Sequence, residues 1–386
     1  MTVRDLLLSL VKCSLNGEAI DIYATEKFLS DSKLATLFKV AKKHDVAHLV
    51  CYALEKNGFC YEDSDTWQLF LKEMEQAHLR YEMIQADINE IFSCFEGEGV
   101  DYVPLKGAVV RTLYPEPWMR TSCDIDILVR KSELERAVGA LVEKLKYKTD
   151  GKKTYHDVSL YSPFGMHLEL HYNIKENEPR YDKLLTRVWE FSNKTEKNSC
   201  KYLQSNEFLA FHLIAHAAYH FANGGCGMRS VLDLWLLKNR LDIDMAMLES
   251  LLEGAGLKTF FEAVLALGEY WFGELNSVSD TILEMERFIL LGGAYGTDKQ
   301  GAVSRQVKKG GKLKYFWSRV FMSYENLAVL YPVIKRHKIL TPFCQVARWV
   351  GAIFKGKKVA KEIKNVASVD TSRATETKCL FDSLGL

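Results

Sequence analysis

Two aspartates separated by one residue are the strongest chemical signal in this chain. Asp124 and Asp126 alternate with Ile125 and Ile127 in a segment that reads DIDILV. Because successive side chains of a strand point to opposite faces, both carboxylates share one face and the isoleucines face a core. Like charges held side by side repel unless a cation lies between them, and Mg²⁺ is the natural cation for oxygen ligands. A solvated edge strand is the alternative, and the spacing alone leaves both interpretations open.

A second signal precedes the aspartates. The segment from Val103 to Ala108 reads VPLKGA and is predicted to end a strand and open a helix. A glycine at position 107 lets the backbone approach a ligand closely, and the free N–H groups at a helix start attract phosphate. The segment therefore predicts a phosphate-binding turn.

A third acid follows on a later predicted strand. Residues 166–171 read MHLELH and alternate strictly, so Glu169 shares a face with His167 and His171. This strand could pair beside the one that carries the aspartates. Either histidine could orient Glu169, and a zinc site built from these three residues is a further option.

This order of features resembles the nucleotidyltransferase superfamily of the polymerase-beta type. The closer resemblance is to a family of uncharacterised bacterial nucleotidyltransferases with a Leu-Lys-Gly signature. The residues that carry it are Leu105-Lys106-Gly107, Leu113-Tyr114-Pro115, Pro117, Arg120, Asp124–Val129 and Leu168–His171. Softer matches in the helical flanks are Arg229 with Asp233, Gly292–Thr297 and Ser323–Glu325.

The resemblance implies an α+β fold, in which a small mixed β-sheet core is flanked by N-terminal and C-terminal helical regions. It implies transfer of a nucleoside monophosphate from an NTP to a hydroxyl acceptor, assisted by two Mg²⁺ ions. The catalytic and metal-binding residues would be Asp124, Asp126 and Glu169. The nucleotide would be bound by Lys106, Gly107, Ala108, Arg111 and Arg120. A small molecule, a protein and RNA remain open as acceptors, and the choice of NTP is equally open.

One departure from the superfamily pattern supports an alternative function. The phosphate-binding glycine is usually followed by serine or glycine, whereas Gly107 is followed by Ala108. Without that hydroxyl, the same fold could serve as a catalytically silent nucleotide-binding module. Such a module would bind an NTP and release no pyrophosphate.

Charge is unevenly distributed along the chain. The formal net charge is +1, yet residues 299–364 contain sixteen Lys and Arg and only two acids. Basic segments of this strength favour nucleic acid, an anionic membrane surface or an acidic partner domain. The lysines between Lys355 and Lys364 follow Trp349 and Phe354, which is typical of an interfacial helix. Residues 312–364 could therefore contact a membrane peripherally, and a membrane-surface interaction protein that acts through this segment is a further alternative function. A basic helical cap on an acidic domain is equally compatible with the pattern.

The helical pattern after the predicted sheet contains further polar candidates. His212, His216 and His220 fall on one helix face, where packing is a more common role than metal binding. They would line the nucleotide or acceptor pocket if this helix covers the sheet. Arg229 and Asp233 are one turn apart and are predicted to form a structural ion pair.

Composition and pattern together predict five regions in a cytoplasmic protein. Nine scattered cysteines without a Cys-x-x-Cys pair favour reduced thiols, and no run reaches the ~20 apolar residues that span a bilayer. The regions are an N-terminal helical region (1–97), a nucleotidyltransferase-like core (98–200), a helical domain (201–297), a basic aromatic helical segment (298–367) and a disordered tail (368–386).

Overall fold

The computed structural model describes residues 1–154, 156–294, 296–311, 314, 317, 320–354 and 371–386. It has the predicted α+β architecture, with a five-stranded mixed sheet between helical regions. The helices before the sheet are α1 (Val3–Asn16), α2 (Ile22–Phe28), α3 (Asp31–Lys43), α4 (Ala47–Lys56) and α5 (Asp65–Glu98).

The central sheet has the order β1-β2-β5-β4-β3. Its strands are β1 (Tyr102–Pro104), β2 (Asp124–Val129), β3 (Lys148–Lys153), β4 (Asp157–Tyr161) and β5 (His167–His171). Strands β2 and β5 run parallel, and the other neighbouring pairs run antiparallel. The short helix α6 (Gly107–Val110) follows β1, and α7 (Leu134–Glu143) follows β2. This order makes β2 and β5 neighbours although two strands separate them in the chain.

The alternation of the strands gives the sheet one apolar and one polar face. Ile125 and Ile127 of β2 join Leu168 and Leu170 of β5 in a buried core. Helices α5 and α7 cover this face and contribute their own apolar side chains to the same core. Because residues of β2 and β5 alternate with period two, the carboxylates of both strands lie on the opposite face.

Helices that follow the sheet enclose the polar face. The elements up to residue 308 are α8 (Pro179–Leu185), β6 (Ser192–Lys194), β7 (Tyr202–Gln204), α9 (Asn206–Ala222), α10 (Met228–Arg240), α11 (Met245–Ala255), α12 (Lys258–Phe272), α13 (Asp280–Gly292) and α14 (Asp298–Lys308). Buried residues of helices α8 to α13 share one large core with the N-terminal helices, whereas Ala302 and Val303 of α14 form a small cluster of their own. The N-terminal and C-terminal helical regions therefore pack together on the side of the sheet that carries the acids.

The part of the basic segment from residue 320 to residue 354 forms a small helical unit of its own. Its helices are α15 (Tyr324–Leu330), α16 (Val333–Arg336) and α17 (Thr341–Phe354). Leu327, Ala328 and Ile334 form a separate buried cluster there. The predicted lysine cluster from Lys355 to Lys364 lies outside the described residues. In the described part of the chain, none of the helices combines the length and apolar character needed to cross a membrane.

The end of the chain is helical, and the predicted disorder of residues 368–386 is wrong for residues 371–386. Thr371–Ser383 forms α18, and Leu380, Phe381 and Leu384 are buried in the large core. These apolar residues fall on one helix face, and burying that face outweighs the polar composition of the remainder.

Phe381 provides a direct test of this correction. Its ring lies 5.8 Å from that of Phe221 and 5.9 Å from that of Phe288. Phe381→Ala is expected to lower the free energy of unfolding by about 3–5 kcal/mol, because it leaves a cavity. Denaturant unfolding measures this loss, and Cys379→Ala at an exposed position of α18 is the matched control. An unchanged stability for Phe381→Ala would show that α18 does not dock.

Candidate active site

The pairing of β2 with β5 brings together acids that are far apart in the sequence. Asp126 lies directly opposite Glu169, and Asp124 lies opposite His167. Potential ligand atoms of Asp126, Glu169 and His171 all lie within 4.8 Å of one another. The predicted third acid thus lies beside the aspartates, and a histidine completes a group that could hold a metal ion.

Asp126 is the centre of a buried charge network. Lys106 Nζ donates to Asp126 Oδ1 at 3.1 Å, and His171 Nε2 lies 2.9 Å from the same oxygen. Burial would raise the pKa of Asp126, but Lys106 and His171 outweigh it and hold that pKa well below its usual range. Burial would lower the pKa of His171, but hydrogen bonds to Asp126 and Glu169 raise it to about 9. Asp126 is therefore a charged carboxylate that is already paired with cations.

The two aspartates differ in their electrostatic environment. Burial and the neighbouring Asp126 raise the pKa of Asp124, whereas Lys106 and His171 outweigh burial and lower the pKa of Asp126. Two carboxylates of one motif thus have opposite pKa shifts, as expected when like charges share a site. A bound cation beside Asp124 would relieve this repulsion.

A strained turn positions Lys106 next to Asp126. Lys106 has a φ of +39°, which is unfavourable for a residue with a Cβ. A Cβ at Gly107 would lie 2.8 Å from a guanidinium nitrogen of Arg120. A side chain at position 107 would therefore require the Arg120 guanidinium to move.

Arg120 connects the sheet region with helix α10. Its Nε and Nη2 donate to the two carboxylate oxygens of Asp233 at 2.9 and 2.8 Å, and the Tyr114 hydroxyl donates to Oδ1 at 2.8 Å. Burial would lower the pKa of Arg120, but the carboxylate of Asp233 outweighs burial and raises that pKa above its usual value. A bidentate buried pair of this kind fixes the guanidinium firmly.

Six of the predicted site residues line one cavity of about 330 Å³ above the polar face. They are Lys106, Gly107, Arg120, Asp124, Asp126 and Glu169. The other two predicted residues, Ala108 and Arg111, do not line it. The Ala108 amide donates to Leu105 O, and Arg111 donates to Gly107 O and Ser122 Oγ. Ala108 and Arg111 therefore stabilise the turn and do not face the cavity.

The family described as an uncharacterised nucleotidyltransferase matches residues 30–273. The chain belongs to this family. The matched range contains the sheet, the three acids and helices α9 to α12, and it ends before the softer resemblances at Gly292–Thr297 and Ser323–Glu325. Comparisons with curated proteins and with solved structures gave no match. Family membership indicates nucleotidyl transfer as the general activity.

The roof of the cavity of about 330 Å³ contains neutral histidines. His216 and His220 of α9 line the cavity, as the sequence suggested for a helix that covers the sheet. Burial lowers the pKa of His216 to about 3 and that of His220 to about 4. His216 Nδ1 lies 2.7 Å from Glu176 Oε1, so its ring is held in place by a carboxylate.

Arg229 is a cavity residue that the sequence assigned to another role. The predicted pair between Arg229 and Asp233 is wrong, because Asp233 binds Arg120. Arg229 Nη1 donates instead to Thr121 O at 2.9 Å and to Asp45 Oδ2 at 3.3 Å. The Arg229 side chain lines the cavity and is 27% exposed.

A smaller chamber of about 140 Å³ adjoins the cavity of about 330 Å³. Both are lined by Lys106, Glu169 and His216. The chamber is further lined by Leu105, His156, His171, Ile174, Lys175, Glu176 and His212. His212 Nε2 is buried without a hydrogen-bond partner in the structure. Glu169 therefore has access to two compartments.

The option of a zinc site from His167, Glu169 and His171 does not match this arrangement. His167 stacks on Tyr161 with 4.9 Å between ring centroids, and it belongs to neither metal-capable group found among the described residues. The groups found are Asp126 with Glu169 and His171, and His156 with Asp157 and His171.

The pair between Arg120 and Asp233 is expected to stabilise the fold as well as shape the cavity. Asp233→Ala would leave a buried guanidinium without its carboxylate and lower the free energy of unfolding by about 3–5 kcal/mol. Chemical denaturation measures this loss. Glu190→Ala, which breaks the exposed pair with Arg187, is the control and is expected to change stability far less. Equal effects of both variants would contradict the assigned role.

Proposed function

We propose that this protein transfers a nucleoside monophosphate from an NTP to a hydroxyl acceptor with the help of two Mg²⁺ ions. The observation that carries the proposal is the convergence of Asp124, Asp126 and Glu169 on one cavity, on neighbouring strands whose register sets Asp126 opposite Glu169. Carboxylate oxygens are the ligands that Mg²⁺ prefers.

The carboxylate oxygens of Asp124, Asp126 and Glu169 are the kind of ligand that a divalent cation binds. A positive group, the Lys106 ammonium, already lies 3.1 Å from Asp126. Asp124 and Asp126 would bind both ions, and Glu169 would complete the coordination of the ion on the acceptor side. When bound, the ions would supply neutralisation of the triphosphate and activation of the acceptor hydroxyl. His171 orients Asp126 and Glu169 by its contacts with both carboxylates.

The charges around the cavity support a triphosphate beside the aspartates. Lys106 and Arg229 are the cations we assign to the β- and γ-phosphates, together with the Gly107 amide. Arg120 lines the same cavity but is bound to Asp233 at both carboxylate oxygens, so we assign it a supporting role. The Ala108 amide is engaged with Leu105 O, which makes it a poor phosphate ligand.

The smaller chamber supports a path for the acceptor. Glu169 lines both compartments, so a hydroxyl in the chamber would lie next to the carboxylate that we assign to the acceptor-side ion. The imidazoles of His156 and His212 and the carboxylate of Glu176 make this chamber polar. A volume of about 140 Å³ accommodates the hydroxyl-bearing end of an acceptor rather than a nucleotide base and sugar.

A catalytically silent nucleotide-binding module is the second candidate. It is favoured by Ala108, which stands where the superfamily usually has serine or glycine and whose side chain packs into the core below the sheet. Such a module would use the same carboxylates and cations to bind an NTP, without transfer.

Transfer of label from α-³²P-labelled NTPs distinguishes the two candidates. Each NTP is incubated with the protein, Mg²⁺ and one of three acceptor fractions: small molecules, proteins or RNA. We expect label in one fraction together with pyrophosphate release. Glu169→Gln is expected to reduce transfer at least about a hundredfold, because it weakens the acceptor-side ion.

Glu135→Gln on the exposed surface of α7 is the matched control and should transfer label like the unchanged protein. Nucleotide binding without label in any fraction would exclude transfer and favour the silent module. Full transfer by the Glu169→Gln variant would show that Glu169 does not bind the acceptor-side ion.

A further inference from the structure

Helix α17 has its apolar face toward solvent. Pro342, Phe343, Val346, Ala347 and Val350 are all exposed, and the large ones among them retain 71% (Phe343), 51% (Val346) and 48% (Val350) of their accessible surface. Their spacing of three and four residues places them on one face of the helix. A surface helix normally has charged or polar residues there.

The polar side chains of α17 point the other way, into the protein. Gln345 Nε2 donates to Met322 O at 3.2 Å, and Trp349 Nε1 donates to Val320 O at 2.7 Å. The Arg348 guanidinium also donates to Val320 O. These hydrogen bonds fix the rotation of the helix, so the exposure of the apolar face is not the result of a loosely attached helix.

The apolar surface extends beyond α17 into the preceding turn. Ile339 retains 82% of its accessible surface, and Leu330 and Val333 retain 56% and 47%. Of the nineteen large apolar side chains that are exposed among the described residues, eight lie between Trp317 and Val350. Exposed apolar side chains concentrated in one part of a fold mark an interaction site.

Positive charge borders this surface. Lys335, Arg336 and Lys338 are exposed in the segment between Val333 and Ile339. Residues 320–354 contain four Lys and Arg but only one acid, Glu325. A second copy of the chain would bring two positive borders together, which is unfavourable, whereas a negatively charged partner would neutralise them.

We propose that this surface docks on an anionic lipid bilayer, with α17 lying in the plane of the interface. Ile339, Phe343, Val346 and Val350 insert at the boundary between head groups and acyl chains. Lys335, Arg336 and Lys338 contact lipid phosphates. Apolar insertion combined with attraction of basic residues to anionic lipid is the basis of peripheral membrane binding. This surface is built from residues outside the candidate active site and does not depend on nucleotidyl transfer.

Vesicle sedimentation with the full chain tests this proposal. We expect binding to vesicles of phosphatidylglycerol mixed with phosphatidylcholine, and much weaker binding to phosphatidylcholine alone. Phe343→Ser/Val346→Ser is expected to weaken binding at least about tenfold, because it removes inserted apolar surface. Lys335→Gln/Arg336→Gln/Lys338→Gln should weaken it at least about tenfold and remove most of its salt dependence.

Phe164→Ser is the matched control, because Phe164 is 79% exposed in the turn between β4 and β5, away from α17. It should bind vesicles like the unchanged protein. Absence of binding to anionic vesicles at low salt would overturn the proposal, as would full binding by the Phe343→Ser/Val346→Ser variant. A dimer in analytical ultracentrifugation that this variant disrupts would assign the surface to a second copy instead.

Discussion

The parallel pairing of β2 with β5 is the interaction on which the candidate site depends. It places Asp126 opposite Glu169, and a shift of one residue would turn one of these carboxylates into the core. Holding such acids together costs free energy, and the protein offsets this cost with Lys106 and His171, which both contact Asp126. The opposite pKa shifts of Asp124 and Asp126 reflect the repulsion that these two cations relieve only in part. Divalent cations would complete the compensation, and this is the physical basis of the metal-dependent reaction that we propose.

The helices above the sheet enclose the face that carries the carboxylates and shape the cavity there. Asp233 on α10 binds Arg120, and Gly107 leaves the space that the Arg120 side chain occupies, so the turn at Lys106 and Gly107 and helix α10 are positioned together. Histidines of α9 are kept neutral by burial and therefore add no positive charge to the cavity. The cavity therefore takes its positive charge from Lys106, Arg120 and Arg229, which line it, and not from the histidines of α9.

Local periodicity was sufficient to predict the two strands that carry the acids and the apolar face of each, whereas the mixed sheet itself was implied by the resemblance to the nucleotidyltransferase superfamily. Strand alternation has a period of two and can be read from six residues. The partner of Asp233 could not be predicted this way, because Arg120 is 113 residues away and spacing rules detect only neighbours on one helix. The docking of α18 depends on Phe381, whose burial is decided by aromatic side chains of α9 and α13 rather than by its own polar segment. Long-range contacts of this kind follow from the packed fold and not from local pattern.

The most direct measurement is calorimetric titration of each of the four NTPs, with and without Mg²⁺, into the unchanged protein and the Asp124→Ala/Asp126→Ala variant. We expect one NTP to bind only when both Mg²⁺ and the aspartates are present, because the carboxylates can accept a triphosphate only through the cation. Circular dichroism would establish that the variant is folded. Binding that persists without Mg²⁺ or without the aspartates would contradict the metal site, and so would the absence of binding for all four nucleotides.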